Sequence, residues 1–158
     1  TDIFVVKYDS AGNKLWTRCY GGIGMDEGMY NIFGSNLDGF GDAIKETADG
    51  GLVFVGSTAS TNGDVSGNHG SYDACIVKVN SVGQVLWQKC VGGSGNDGFQ
   101  SVILTNDGGL VATGNTLSND GDISGNHGNA DALVVKFSST GQIEWQKCIG
   151  GSAVDETQ

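Results

Sequence analysis

The chain has 158 residues, 28 of them Gly and none Pro, with 18 Asp and Glu against 8 Lys and Arg for a formal net charge of −10. That length suits one domain, and so much Gly beside 38% hydrophobic residues fits a turn-dense β chain rather than a disordered one. The acidic balance repels phosphate backbones and anionic bilayers, which argues against nucleic-acid binding; no signal peptide is expected, and these residues hold no apolar run of membrane-spanning length.

The first recognisable element runs from Asp2 to Asp26, DIFVVKYDSAGNKLWTRCYGGIGMD, and it returns at Asp73–Asp97 and Asp131–Asp155. The later copies are 58 residues apart, but 71 separate Asp2 from Asp73, so the first unit carries 13 extra residues within Glu27–Gly41. Tyr30, Phe33 and Phe40 in that insertion sit among Gly, Asn and Asp, where they are candidates for stacking on a sugar or docking a partner, or for covering a neighbouring unit. After the insertion, residues 42–58 align with 100–116. Each unit thus holds two hairpins. One is built on Ala74–Asn80 and Gln84–Cys90 around Ser81-Val82-Gly83, the other on Gln100–Thr105 and Leu110–Thr116 around an Asp-Gly turn. No segment keeps a helical period.

The expected fold is therefore all-β, with propeller-like blades of four antiparallel strands and about two and a half 58-residue repeats. A β-solenoid is the competitor. Residues 1–26 read as a half-blade, 27–41 as an insertion loop, 42–97 and 98–155 as blades, and 156–158 as the start of another repeat. Opening and closing on the same half, the chain is expected to be a piece of a longer repeat protein, with a ring assembled from several chains as the alternative. Trp16, Trp87 and Trp145 share one repeat position and should fill the space between blades, rather than stack on sugars. Cys19, Cys90 and Cys148 share another, while Cys75 reads as a small core residue that a turn at Val82-Gly83 would place opposite Cys90, within reach of a cross-strand disulfide.

Between the hairpins lies a twelve-residue loop, Asn62–Asp73 and again Asp120–Asp131. Oxygen-bearing side chains at places one, three and five, Gly at six and a carboxylate at twelve match the spacing of a calcium loop. The candidate calcium ligands are Asp120, Asp122, Ser124, Asn126 (through its carbonyl) and Asp131, and in the other copy Asn62, Asp64, Ser66, Asn68 and Asp73. A Gly/Asn/Asp turn capping its own backbone is the alternative. His69 and His127 occur in identical Asn-His-Gly settings without a catalytic partner and read as structural. The Gly-Gly-x-Gly-x-Asp runs at 21–26 and 92–97 imitate a calcium nonapeptide but recur too sparsely to stack. They read as connecting turns whose Asp26, Asp97 and Asp155 bond backbone amides.

The elements DGGLVATG, SNDGDISGNHG, DALVVK, GQIEWQKC and GGSGND resemble the tandem repeats of large secreted or cell-surface propeller proteins of Bacteroidota. The resemblance implies an extracellular propeller with an adhesive or scaffolding role, and it defines no catalytic residues. The function expected is a non-enzymatic, calcium-stabilised module that meets protein or glycan at a cell surface, or another copy through exposed half-blades. A lectin-like oligomer is the alternative, and a polysaccharide-active domain using carboxylates such as Asp38 is the third reading.

Overall fold

The computed structural model describes residues 1–27 and 42–155, and the regular structure among them is entirely β. The strands are β1 (Ile3–Tyr8), β2 (Lys14–Tyr20), β3 (Asp26–Glu27), β4 (Ile44–Glu46), β5 (Leu52–Thr58), β6 (Asp73–Val79), β7 (Val85–Val91), β8 (Asp97–Leu104), β9 (Leu110–Thr116), β10 (Asp131–Phe137) and β11 (Ile143–Ile149). They form three open antiparallel sheets: β1–β2; β5–β6–β7 with β3 and β4 both on the free side of β5; and β8–β9–β10–β11.

The third sheet is the repeat in its unbroken form. Its β8 carries a bulge between Phe99 and Ser101. In the second sheet the same strand is split: Asp26 and Glu27 pair with Thr58 and Ser57, and Ile44–Glu46 pairs with Phe54–Leu52. The extra residues therefore enter where the ladder is already interrupted, which spares the pairing on either side. Tyr30, Phe33, Phe40 and Asp38 lie outside the described residues.

Tight hairpins follow from local chemistry. Asn80 Oδ1 accepts the amides of Val82 (3.1 Å) and Gln84 (2.9 Å), and Asp9 and Ser138 do the same in their copies. The turn glycine that follows, Gly12, Gly83 or Gly141, has φ of 81°, 78° or 80°, which side-chain-bearing residues rarely adopt.

Strand alternation then gives each sheet two apolar faces. Leu52, Phe54, Cys75, Val77 and Val79 face the first sheet and share a cluster with its Ile3, Val5 and Tyr20. The opposite face, with Val53, Val55, Ala74 and Ile76, packs against Leu110, Ala112, Leu133, Val135 and Phe137 of the third. Tyr20 and Phe54 rings lie 5.0 Å apart, and Phe99 and Phe137 meet edge to face at 6.1 Å.

The first and second sheets each also lay the second strand of the tryptophan hairpin on the next sheet's turn. Trp16 Nε1 donates to Ser81 O (2.9 Å), Arg18 Nε to Val82 O (3.2 Å) and Tyr20 Oη to Gly83 O (2.8 Å). One sheet on, the Trp87 ring lies 2.7 Å from where a Cβ on Gly141 would stand.

Cys75 and Cys90 are register partners on β6 and β7, and all four cysteines are free thiols. Burial pushes Cys75 well above the ordinary thiol value and Cys90 up to about 12, so neither supplies thiolate at neutral pH. Cys90 Sγ donates instead to Ser66 O at 3.0 Å.

The packing scheme makes equivalent residues unequal. Leu133→Ala, at a fully buried position, should cost about 2–5 kcal/mol in chemical denaturation. Phe4→Ala, at the same repeat position but 64% exposed, should stay within about 0.5 kcal/mol.

Candidate functional site

The polar residues of the repeat collect around the connecting turns. The two twelve-residue loops are built alike. At the first place, Asp120 Oδ1 accepts Ser94 N (2.8 Å) and Asn62 Oδ1 accepts Ile23 N (3.1 Å), so this side chain reaches the turn ahead of its own sheet. At the third place, the amides of Asp122 and Asp64 donate to Gly92 O (2.9 Å) and Gly21 O (3.0 Å). The Asp122 carboxylate lies 3.6 Å from Lys89 Nζ. At the fifth, Ser124 Oγ and Ser66 Oγ accept from Gln146 (2.8 Å) and Gln88 (3.1 Å). Asn126 and Asn68 donate to Thr116 O (3.3 Å) and Thr58 O (2.7 Å) and accept the amides of Gly128 and Gly70.

The closing carboxylates are the most enclosed. Asp73 Oδ2 accepts His69 N (3.0 Å) and lies 2.6 Å from His69 Nδ1; Asp131 repeats this with His127 at 3.1 and 2.7 Å. The other oxygen of each, Asp73 Oδ1 and Asp131 Oδ1, is buried without a hydrogen-bond partner. Burial pushes the Asp73 carboxyl up, opposed by the bonds from His69 and reinforced by Asp97. The ten candidate oxygen donors thus have the hard chemistry calcium takes, but most are engaged with separate protein partners. Among the described residues, no group of three or more Asp, Glu, His or Cys side chains is arranged to hold a metal ion.

A second carboxylate site sits beside each loop. Asp97, fully buried, accepts from Thr116 Oγ1, from Ser118 Oγ (2.7 Å) and from Gly93 N (3.0 Å). Asp26 does the same with Thr58, Ser60 (2.8 Å) and Gly22 N (2.8 Å), and Asp155 accepts Gly151 N (2.7 Å). Sequence reading found the turn amides but missed the hydroxyls, although Thr-x-Ser recurs at 58–60 and 116–118 and could have shown them. It also missed the lysine clamps. Lys78 grips Thr47 and Asp49 (3.1 Å) at the tip of the β4–β5 turn, and Lys136 grips Asp107 (3.0 Å) and Glu144 (3.2 Å).

An apolar groove of about 290 Å³ along β1 is lined by Ile3–Val6, Ala43–Ile44 and Phe54–Val55, and none of these described residues offers a polar side chain to orient a substrate.

No family model matches the chain. The chain is similar to the Regulatory protein FlaEY of Caulobacter vibrioides, at 24% identity over 167 residues, covering 96% of this chain and 17% of the length of that protein.

The lysine clamps set an acid dependence. Asp49 and Asp107 are held well below the ordinary value of 3.8, first by the hydroxyls of Thr47 and Thr105, then by the amides of Gly51 and Gly109 and by the lysines. Carboxyls depressed in the fold stabilise it above their unfolded value and lose that contribution as pH falls through the folded one. Asp49→Asn/Asp107→Asn should therefore melt below wild type at neutral pH, and the gap should close progressively below about pH 4. Parallel melting curves down to acid pH would sink this account.

Proposed function

We propose that this chain is a non-enzymatic repeat module of an extracellular or cell-surface protein, whose sheets are propeller-like blades and whose role is adhesion, scaffolding or fibre assembly. One observation carries the reading. Within the described repeats, the buried acidic side chains are spent on turn amides, hydroxyls and histidines that recur from sheet to sheet. Such groups hold the stack together, whereas reactive side chains stand out as departures from a repeat. The apolar outer faces of the first and third sheets are where protein partners, including further copies, would bind.

Calcium has a specific claim on the loops in this proposal. A buried carboxylate oxygen left unpaired costs about 1–3 kcal/mol or more, and Asp73 Oδ1 and Asp131 Oδ1 are both in that state. A hard cation drawing on Asp131 with Asp120, Asp122, Ser124 and the Asn126 carbonyl would relieve it, and likewise Asp73 with Asn62, Asp64, Ser66 and Asn68.

Two measurements test the proposal. Incubation with polysaccharides should give no turnover; product formation that disappears in Asp38→Asn would replace it with an enzymatic reading. Thermal melts with calcium and with chelator should differ, by about 2.7 kcal/mol of stability at a hundredfold excess over the dissociation constant. Asp120→Asn/Asp122→Asn should lose most of that difference. Superimposable curves for wild type in both buffers would reduce the loops to capped turns.

A further inference from the structure

The first place of the twelve-residue loop seats a carboxylate in one copy and an amide in the other. Asp120 Oδ1 accepts Ser94 N at 2.8 Å, and that bond is the main influence holding the Asp120 carboxyl below the ordinary value of 3.8. In the same place one unit earlier, Asn62 Oδ1 accepts Ile23 N at 3.1 Å. A backbone N–H aimed at a side-chain oxygen favours negative charge there. Asn62 brings none, so this seat holds a weaker acceptor than its counterpart does.

Glycine follows in both copies because nothing larger fits. Gly63 and Gly121 have φ of 86° and 65°, and a Cβ on them would stand 2.2 Å from Gly21 O and 2.5 Å from Gly92 O. The same requirement leaves the Gly63 nitrogen with no side chain of its own to screen it from Asn62 Cγ. Asn62-Gly63 is the one Asn-Gly pair in the sequence.

Such a pair carries its own reaction. The Gly63 nitrogen attacks Asn62 Cγ and a C–N bond forms. Negative charge gathers on Oδ1, where the Ile23 N–H already points. The side-chain nitrogen takes up the Gly63 N–H proton and departs as ammonia, leaving a cyclic imide. Water then adds to one of the two imide carbonyls, and ring opening gives either aspartate or the isomer whose main chain runs through the side chain. Water is the only reactant consumed.

We propose that Asn62 is a self-modification site, converted to aspartate through attack by the Gly63 nitrogen, so that loop 62–73 acquires the carboxylate that loop 120–131 already has. The isomer is disfavoured in place. Its longer main chain would displace the close contact of Gly63 with Gly21 O and the 3.0 Å bond from Asp64 N to the same oxygen. The reaction stands apart from the calcium claim above; where that claim holds, the product adds a ligand charge at the first place of the loop.

Mass spectrometry tests it on the whole chain, incubated folded and in urea at mildly alkaline pH and then digested in acid. In the folded chain Asn62 should exchange amide for acid ahead of Asn68, Asn119 and Asn126, and in heavy-oxygen water the product should carry solvent oxygen. Its share of aspartate over the isomer should exceed that in the unfolded chain. Asn62→Asp should melt at or above wild type at neutral pH, as a carboxylate suits the same seat at Asp120. An Asn62 that persists in the folded chain while the unfolded chain converts it would overturn the site. A product no richer in aspartate than that of the unfolded chain, or an Asn62→Asp variant that melts below wild type, would overturn the carboxylate as the form the seat selects.

Discussion

A carboxylate enclosed by protein is tolerated only where hydrogen-bond donors converge on it, and Asp97 is such a point. Its three donors come from three different segments: the Gly93 amide from the turn after β7, the Thr116 hydroxyl from the end of β9, and the Ser118 hydroxyl from the loop beyond. Satisfying Asp97 therefore fixes where one sheet ends and the next begins. Asp26 does the same one unit earlier through Gly22, Thr58 and Ser60. Close by, the amides of Asp26, Asp97 and Asp155 donate to Thr1, Tyr72 and Ala130, at 2.7, 2.7 and 2.8 Å. Each sheet is thus tied to its predecessor by main chain and side chain at one corner.

With that corner pinned, strand alternation decides the rest. A slip of one residue would exchange the two faces of a sheet, so the corner also protects the match between Val53/Val55/Ile76 and Leu133/Val135/Phe137. The lysines show how context redirects a repeated residue. Lys78 and Lys136 clamp turns beside them, at Asp49 and Asp107. Lys7 holds the same repeat position, but among the described strands β1 pairs with β2 alone, and its ammonium reaches across to Glu46 and Gly50 O of the second sheet. That contact adds a polar strap to the apolar joint between the first two sheets.

The repeat, the strands and the turn residues were legible because each is a local pattern. Short apolar runs bounded by Asn, Asp and Gly mark Ile3–Tyr8 and Asp131–Phe137, and Asp-Gly marks the tight turns at 49–50 and 107–108. What was not legible depends on which elements lie beside each other. Two residues, Asp26 and Glu27, carry no periodicity, so their pairing with Thr58 and Ser57 across the insertion could not be read from them. The calcium-loop spacing is a linear pattern, and linear spacing does not say where a side chain turns: Asp120 goes to the Ser94 amide of the preceding connection, while Asp131 goes to His127. The face-by-face burial of Leu133 and exposure of Phe4 is likewise a property of the stack.

The internal joints share a backbone plan but not a composition, and the differences compensate. At the first, bulky Tyr20 enters a cluster whose facing strand offers the small Cys75. At the second, the same positions are reversed in size, with Val91 in a cluster that contains Leu133. Close-packed interiors require this kind of volume exchange, because neither a void nor an overlap of one side chain goes unfelt. Swapping the sheets' facing residues between joints would therefore fail even though every position stays apolar. The stack is directional in its shape as well as in its hydrogen bonds.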